Sequence, residues 1–348
     1  MIVSGSRNVQ SKTQECHRVI HVRSCANNLL GLALCLMTPI VSAQKSDAYP
    51  SRPVRMIVQF APGGNNDTVA RAVARQLTEK FGRQFVVDNR PGAGGAIGVQ
   101  LVASAAPDGY TLGIGFIGNL AINPHLTDKL PYDPIRDFAA ISRVADAPNL
   151  LAVHPSLPAK SVAELVAHAK ANPGKIAYAS GGIGTINHMA GELLAARANI
   201  RLLHVPFKGS GQAVSDAIGG NVPMIFGGPP TLAPHTRSGK LRALAITTLR
   251  RVPAFADIPT LAESGYPGFQ AVAWMGIVGP AGMPIVTIER LNQGIRESLN
   301  AQEVKRLMDA NGFEITNSTP AAFAQFIKTE HAAWGKLIRE TGIRGEQN

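Results

Sequence analysis

Short apolar runs alternate along this chain with stripes of apolar residues at three-to-four spacing. Val54 to Phe60 is a run of strand length. Behind Gly63-Gly64, the residues Val69, Val73, Leu77 and Phe81 recur as one face of a helix. Phe85-Val86-Val87 and Tyr110 to Gly115 predict the next two strands. The second half repeats the pattern. Ser161 and Glu164 form the signature of a capping box and open a helix that Asn172-Pro173-Gly174 stops. Strands are predicted at Lys175 to Ala179, Leu202 to Val205, Val222 to Phe226 and Leu241 to Thr247, and a second capping box, Thr260 with Glu263, predicts a short helix before Gly265. The end is helical. Leu291, Ile295 and Leu299 line one stripe, and Val304, Leu307 and Met308 line another that Asn311-Gly312 ends. Beyond Pro320, at a first helical position, Phe323, Phe326, Ile327, Trp334, Leu337 and Ile338 form the last, so Trp334 reads as core.

Alternation of this kind implies α/β architecture, with parallel sheets flanked by helices. Ligands in such folds sit beyond the carboxyl ends of strands, where helices begin. The 348 residues exceed one ordinary core and suit two domains.

The first 43 residues read as a leader rather than as part of that fold. Arg7, Lys12, Arg18 and Arg23 precede an apolar run from Leu29 to Val41, which closes on Val41-Ser42-Ala43. This is the order of a cleavable secretory signal, and the run is short for crossing ~30 Å of hydrocarbon. All three cysteines, Cys16, Cys25 and Cys35, fall in it, so the remainder has no thiol for disulfides, catalysis or metal. A free monomer in the periplasm is the expectation. The leader holds four of the 34 basic and one of the 23 acidic residues, which leaves a balance of +8. A positive field attracts anions. No basic cluster is interleaved with aromatics, so small anions suit it better than nucleic acid.

The strand-to-helix loops are rich in glycine. In Ala61-Pro62-Gly63-Gly64-Asn65-Asn66-Asp67 the glycines bring backbone close to a ligand, and the helix start offers unpaired N–H groups to a carboxylate. Asp67 reads first as the N-cap; since its charge repels an anion, it would organise this loop or greet an ammonium group. The second loop is Ser180-Gly181-Gly182-Ile183-Gly184-Thr185-Ile186-Asn187-His188. Ser180 and Thr185 supply hydroxyls, and His188 either donates to a ligand or is satisfied locally. His188 with Glu192 lacks the further ligand a metal needs, and neither metal nor cofactor is expected. Gly113-Ile114-Gly115-Phe116-Ile117-Gly118 spells a dinucleotide fingerprint, but Asn123-Pro124 interrupts the helix that should follow. It reads as another ligand-facing loop. The fourth loop, Val205-Pro206-Phe207-Lys208-Gly209-Ser210-Gly211, carries Lys208 either as a solvated surface cation or as a counter-ion. The candidate contacts are Ala61, Gly63, Gly64, Asn65, Asp67, Ser180, Gly184, Thr185, His188 and Gly209.

Nucleophile-elbow, zinc-protease and P-loop motifs are all missing. An enzyme reading is left with Ser180 and His188 as nucleophile and base, with no carboxylate evidently placed to orient the histidine. A binding protein is the better reading.

The same loops resemble the Bug family, the periplasmic binding components of tripartite tricarboxylate transporters. The likeness runs through Pro62-Gly63-Gly64 with Asp67, Val87-Asp88-Asn89-Arg90-Pro91-Gly92-Ala93-Gly94-Gly95 and Pro107-Asp108-Gly109-Tyr110. It continues in Ala121-Ile122-Asn123-Pro124, Tyr178-Ala179-Ser180, Val205-Pro206-Phe207-Lys208-Gly209 and Gly239-Lys240-Leu241-Arg242-Ala243. It implies a two-domain periplasmic-binding-protein (flytrap) fold with two crossover strands, near Arg143 to Val153 and Val272 to Pro280. Residues 50–148 plus 276–348 would make one domain and 149–275 the other. It also implies a small carboxylate held by main-chain amides and ordered water in the first two loops, and membrane transporter subunits as partners, although a periplasmic signalling partner would read the same binding step. Two departures bear on the ligand. Phe207 stands where the family often has Tyr, and Gly227-Gly228-Pro229-Pro230 where a polar or acidic residue is common, which suggests a ligand without an amino group.

Overall fold

A computed structural model describes residues 49–127 and 129–343; the leader and its three cysteines lie outside the described residues. The chain runs β1 (Val54–Val58), α1 (Asn65–Phe81), β2 (Phe85–Asn89), α2 (Ala96–Ala103) and β3 (Thr111–Phe116). It continues with β4 (Phe138–Ala147), β5 (Leu150–Val153), α3 (Val162–Ala171), β6 (Ala177–Ser180), α4 (Ile186–Ala198), β7 (Leu203–Pro206), α5 (Ser210–Ile218), β8 (Met224–Gly227), α6 (Pro229–Arg237) and β9 (Arg242–Ile246). β10 (Ala273–Pro280), α7 (Ile285–Asn300), α8 (Gln302–Ala310), β11 (Glu314–Ile315) and α9 (Pro320–Thr341) complete it. Among the described residues no helix is long and apolar enough to cross a membrane.

The strands form two sheets, in the orders β11-β4-β10-β3-β1-β2 and β7-β6-β8-β5-β9. Each has a parallel part, as the alternation predicts: β1 with β2 and β3, and β6 with β7 and β8. The rest is antiparallel, which corrects the expectation of purely parallel sheets. β10 pairs antiparallel with β3 and β4, and β5 with β8 and β9, because these strands lead the chain from one sheet to the other.

The passages are β4 into β5 through Pro148-Asn149, and the segment ending in Ala271 into β10. They are tied together in the interior. Asn149 N–H donates to Thr247 Oγ1 (2.9 Å), Asn149 Nδ2 to the Ala271 carbonyl (2.9 Å), and Thr247 Oγ1 to the same carbonyl (2.7 Å). Asn149 and Thr247 are fully buried, so pulling these polar groups apart would leave hydrogen bonds unmade in the interior.

The periodic stripes bury as expected. α1 packs Val69, Ala70, Val73, Ala74 and Leu77 inward and ends on Gly82, whose left-handed backbone sends its N–H to Thr78 O. Trp334 is buried in α9. Two expectations need correction. Thr260 and Glu263 do form a reciprocal capping box, Thr260 N–H to Glu263 Oε2 (2.9 Å) and Glu263 N–H to Thr260 Oγ1 (3.0 Å), but only a turn follows, because Gly265 and Pro267 come too soon for a helix. Nor is the GxGxxG segment mainly a loop: Gly113 to Phe116 belong to β3, and of them only the last, Phe116, borders the cavity described below. Gly113 and Gly115 lie inside β3, where a Cβ would stand 2.5 Å from Val102 Cγ2 and 2.8 Å from Val278 Cγ1; they are glycines so that α2 and β10 pack closely.

Candidate functional site

Four helix starts from the two sheets meet around one small cavity. It is lined by Phe60, Ala61 and Gly64–Asp67 from the loop into α1, by Gly181 and Thr185–Asn187 at α4, by Ser210 of α5 and by Gly228 before α6, with Phe116 and Ala273 beside them. Its volume is about 30 Å³, room for about two water molecules. Glycines at and beside these positions let the walls approach, closely at Gly209 and Gly228 and with room to spare at Gly64. A Cβ on Gly209 would stand 3.0 Å from Ala61 Cβ, one on Gly64 3.9 Å from Ser210 Oγ, and one on Gly228 1.9 Å from Asn65 Oδ1.

These starts differ in what they offer. Gly64 precedes α1 with extended backbone and no side-chain cap, and the first bond of the helical ladder is Thr68 N–H to Gly64 O (3.0 Å). By helix geometry the N–H groups of Asn65 and Asn66 have no acceptor within α1. Gly209 likewise gives α5 no side-chain cap. α4 is different, because Thr185 Oγ1 accepts from His188 N–H (3.3 Å). α6 opens on Pro229 and Pro230, which have no N–H. The uncapped donors at this cavity therefore belong to α1 and α5. Asn66 adds a side chain: it is buried, and its Nδ2, like Asn65 Oδ1, meets no partner among the described residues. Among the described residues that line the cavity, none is Lys, Arg or His, and Asp67 is the only carboxylate.

Of the ten expected contacts, Ala61, Gly64, Asn65, Asp67 and Thr185 line the cavity, and Gly209 closes on Ala61 beside it. Asp67 is not the N-cap; that place is held by Gly64, and Asp67 is the third residue of α1. Its carboxylate reaches back to Gly63 N–H (3.0 Å) and also accepts from Arg71 Nε (2.9 Å) and Asn89 Nδ2 (2.9 Å). Burial pushes the Asp67 carboxyl up, but these three donors outweigh it and hold it below the usual carboxylate range. Gly63 thus gives its amide to the loop.

Ser180, Gly184 and His188 turn away from the cavity. Ser180 is fully buried, with Oγ 2.7 Å from His204 Nε2 and accepting from Gly182 N–H (3.1 Å). Gly184 N–H donates to His188 Nδ1 (3.2 Å), and the His188 ring stacks on His204 with centroids 4.1 Å apart. His188 is thus satisfied locally. Burial lowers it to about 4, and burial with the neighbouring His188 lowers His204 to about 3, so both rings are neutral at pH 7. Glu192 accepts from Tyr178 Oη (2.6 Å), not from His188. The serine and histidine of the enzyme reading therefore do not pair, because His204, arriving on β7, takes the serine. Gly228 belongs to the Gly227-Gly228-Pro229-Pro230 stretch already singled out, whereas Asn66, Asn187 and Ser210 join the site with no signal beyond their position one to three residues past a glycine.

Comparison with known proteins agrees with this architecture. The family model described as the tripartite tricarboxylate transporter family receptor matches residues 69–343. A protein from the tcbD-tcbE intergenic region of Pseudomonas sp. strain P51 is 39% identical over 92% of this chain and 95% of its own length. Protein BugT of Bordetella pertussis is 39% identical over 88% and 94%. Among solved structures, the periplasmic binding protein BugD superposes with TM-score 0.82 at 34% identity, over 86% of this chain and all of its own. A Rhodopseudomonas palustris protein solved with adipate gives 0.82 at 33% over 85% and 99%. MatC of the same organism, solved with malate, gives 0.79 at 30% over 83% and 100%. With its two sheets, two crossover strands and facing helix starts, the chain belongs to the tripartite tricarboxylate transporter receptor family, the Bug proteins, and has their two-domain binding-protein fold.

Proposed function

We propose that this protein is a periplasmic receptor that captures a small organic acid and hands it on unchanged to the membrane subunits of a tripartite transporter. The observation that carries the reading is the pair of uncapped helix starts, α1 and α5, at one cavity that Asn66, with its buried and unpartnered Nδ2, also lines. Exposed peptide N–H groups and helix dipoles favour an anion there, each dipole by about 0.3–1 kcal/mol, more when desolvated. A micromolar Kd needs about 8 kcal/mol, within reach of several charge-assisted amide contacts. Both oxygens of Asp67 are engaged, one by Gly63 N–H and Arg71 and the other by Asn89 of β2, and the Gly228-Pro229-Pro230 turn brings no acid, so no free carboxylate among the described lining residues greets an ammonium group. That favours organic acids over amino acids. The adipate and malate held by two relatives belong to the same class.

Residues 50–148 with 276–348, and 149–275, are read as two lobes that close about Asn149 and Ala271. The leader directs the chain to the periplasm. A hydrolytic role has little support, since Ser180 is fully buried against His204.

The test is a thermal-shift screen of the mature protein over di- and tricarboxylates, aromatic acids and amino acids. A carboxylate at a hundredfold excess over Kd is expected to stabilise it by about 2.7 kcal/mol, and mass spectrometry to recover the ligand unaltered. No shift with any acid overturns the ligand class, and a chemically changed ligand overturns the receptor reading.

A further inference from the structure

β10 divides two cavities. Ala273 borders the one at the helix starts, and Trp274, the next residue, borders the other, because successive side chains of a strand point to opposite faces. The second cavity measures about 290 Å³ and shares no lining residue with the first. Both crossovers supply its walls, with Arg143 and Asp146 from β4 and Gln270 from the segment that enters β10, and α9 adds Phe326, Glu330 and Trp334. Its charges do not balance. Arg143 is the one Lys or Arg among the described lining residues, and it is committed: it pairs with Asp146 and lies 3.8 Å over the Phe326 ring. Glu330 has no such cation. Its Oε2 accepts from Trp274 Nε1 (2.9 Å), and it makes no ion pair with a described residue. Aromatic rings surround this carboxylate. Trp274 stands edge-on to Phe326 with centroids 5.4 Å apart, and Trp334 lies one turn beyond Glu330 on the same face of α9.

We propose that this cavity is a second ligand site, and that it takes a small organic ammonium ion, with Glu330 as counter-ion and the indoles of Trp274 and Trp334 as its aromatic surface. A carboxylate beside indole rings is the chemistry that recognises a cation carrying carbon. The negative charge and the ring quadrupoles attract it, while its alkyl groups lose contact with water. A hard metal ion needs several oxygen donors, and among the described residues no group of side chains is gathered that could hold one. An anion would meet Glu330 with Arg143 already engaged. The inference does not rest on the carboxylate reading, because the two cavities have no lining residue in common.

The probe is choline, set against its uncharged isostere in which carbon replaces the quaternary nitrogen. Trp274 and Trp334 are the chain's two tryptophans and both line the cavity, so the indole emission of the mature protein reports occupancy directly. At constant ionic strength choline should give a saturable change and bind at least about fivefold more tightly than the isostere. Glu330→Gln keeps an acceptor for Trp274 Nε1 and removes the charge. It should weaken choline about fivefold and the isostere by less than about twofold. Trp334→Phe has a weaker quadrupole and should weaken choline about threefold, which decides the matter should Glu330→Gln fail to fold. Equal affinity for choline and the isostere, unchanged choline affinity in the variants, or no saturation by about 100 mM choline would overturn the site. Each of those results leaves the organic-acid cavity untouched.

Discussion

A side chain added at Gly64 has space: its Cβ would meet only Ser210 Oγ, at 3.9 Å, and the backbone there is extended with φ −84°. Gly64→Val should therefore fold, losing about 1 kcal/mol for a poor N-cap. Its branches would stand between the α1 and α5 starts, so carboxylate affinity should fall at least about tenfold, or ~1.4 kcal/mol. Calorimetry beside a denaturation curve checks both numbers, and parent-like binding would remove this loop from the site. At this scale the sequence is legible where a residue answers to its immediate neighbours. Asp67 reads as a loop organiser because a carboxylate and an anionic ligand repel, and its bonds to Gly63, Arg71 and Asn89 are of that kind. That it sits third in the helix, and not at the cap, depends on where Gly64 stops being helical.

The α4 start is an element whose stability should follow pH. His188 accepts from Gly184 N–H and stacks on His204, and both are held well below the ordinary histidine value of about 6.5. A group with a depressed folded pKa binds fewer protons folded than unfolded, so its stabilisation is complete above pH ~6.5 and is lost as pH falls towards about 4 for His188 and about 3 for His204. Each histidine contributes a slope of up to ~1.4 kcal/mol per pH unit in that window. Urea unfolding from pH 7 to 4 should show the decline, and His188→Gln should flatten part of it. A level profile would mean that these rings are not buried neutral. Asp67, also depressed, acts in a lower window, below the ordinary Asp value of about 3.9.

For the whole molecule, the crossovers are the parts that the proposed closing motion must bend, and the candidate cavity is wired to them. Asn187, in the cavity wall, donates from Nδ2 to Asn149 Oδ1 (3.0 Å), and Asn149 in turn holds Ala271 and Thr247. The chain has two tryptophans, Trp274 on β10 and Trp334 on α9, and both line a separate cavity beside Arg143 and Glu330. Trp274 Nε1 donates to Glu330 Oε2 (2.9 Å), and Arg143 lies 3.8 Å over the Phe326 ring and pairs with Asp146. Neither tryptophan lines the ligand cavity, so their emission should report on the crossovers and not on contact with the ligand. Titration with a bound organic acid should shift the emission in step with calorimetric saturation. Unchanged emission at saturation would mean that these strands stay still.

Period and punctuation along the chain specify the α/β class and most strand and helix positions, and point to the glycine-rich loops as the place of a candidate site, because each depends on residues within a turn or two of one another. The antiparallel crossover pairing, the use of Gly113 and Gly115 for close packing, and the capture of Ser180 by His204 depend on partners far along the chain, with no local trace. The same is true of which helix starts remain uncapped. Thr185 reads as a hydroxyl in one dimension and in three lines the cavity while capping α4, and Gly209 and Ser210 reach the cavity only because the second sheet brings α5 opposite α1. Free backbone donors are what is left after the whole fold has paired its polar groups, so only the assembled structure can say where they are.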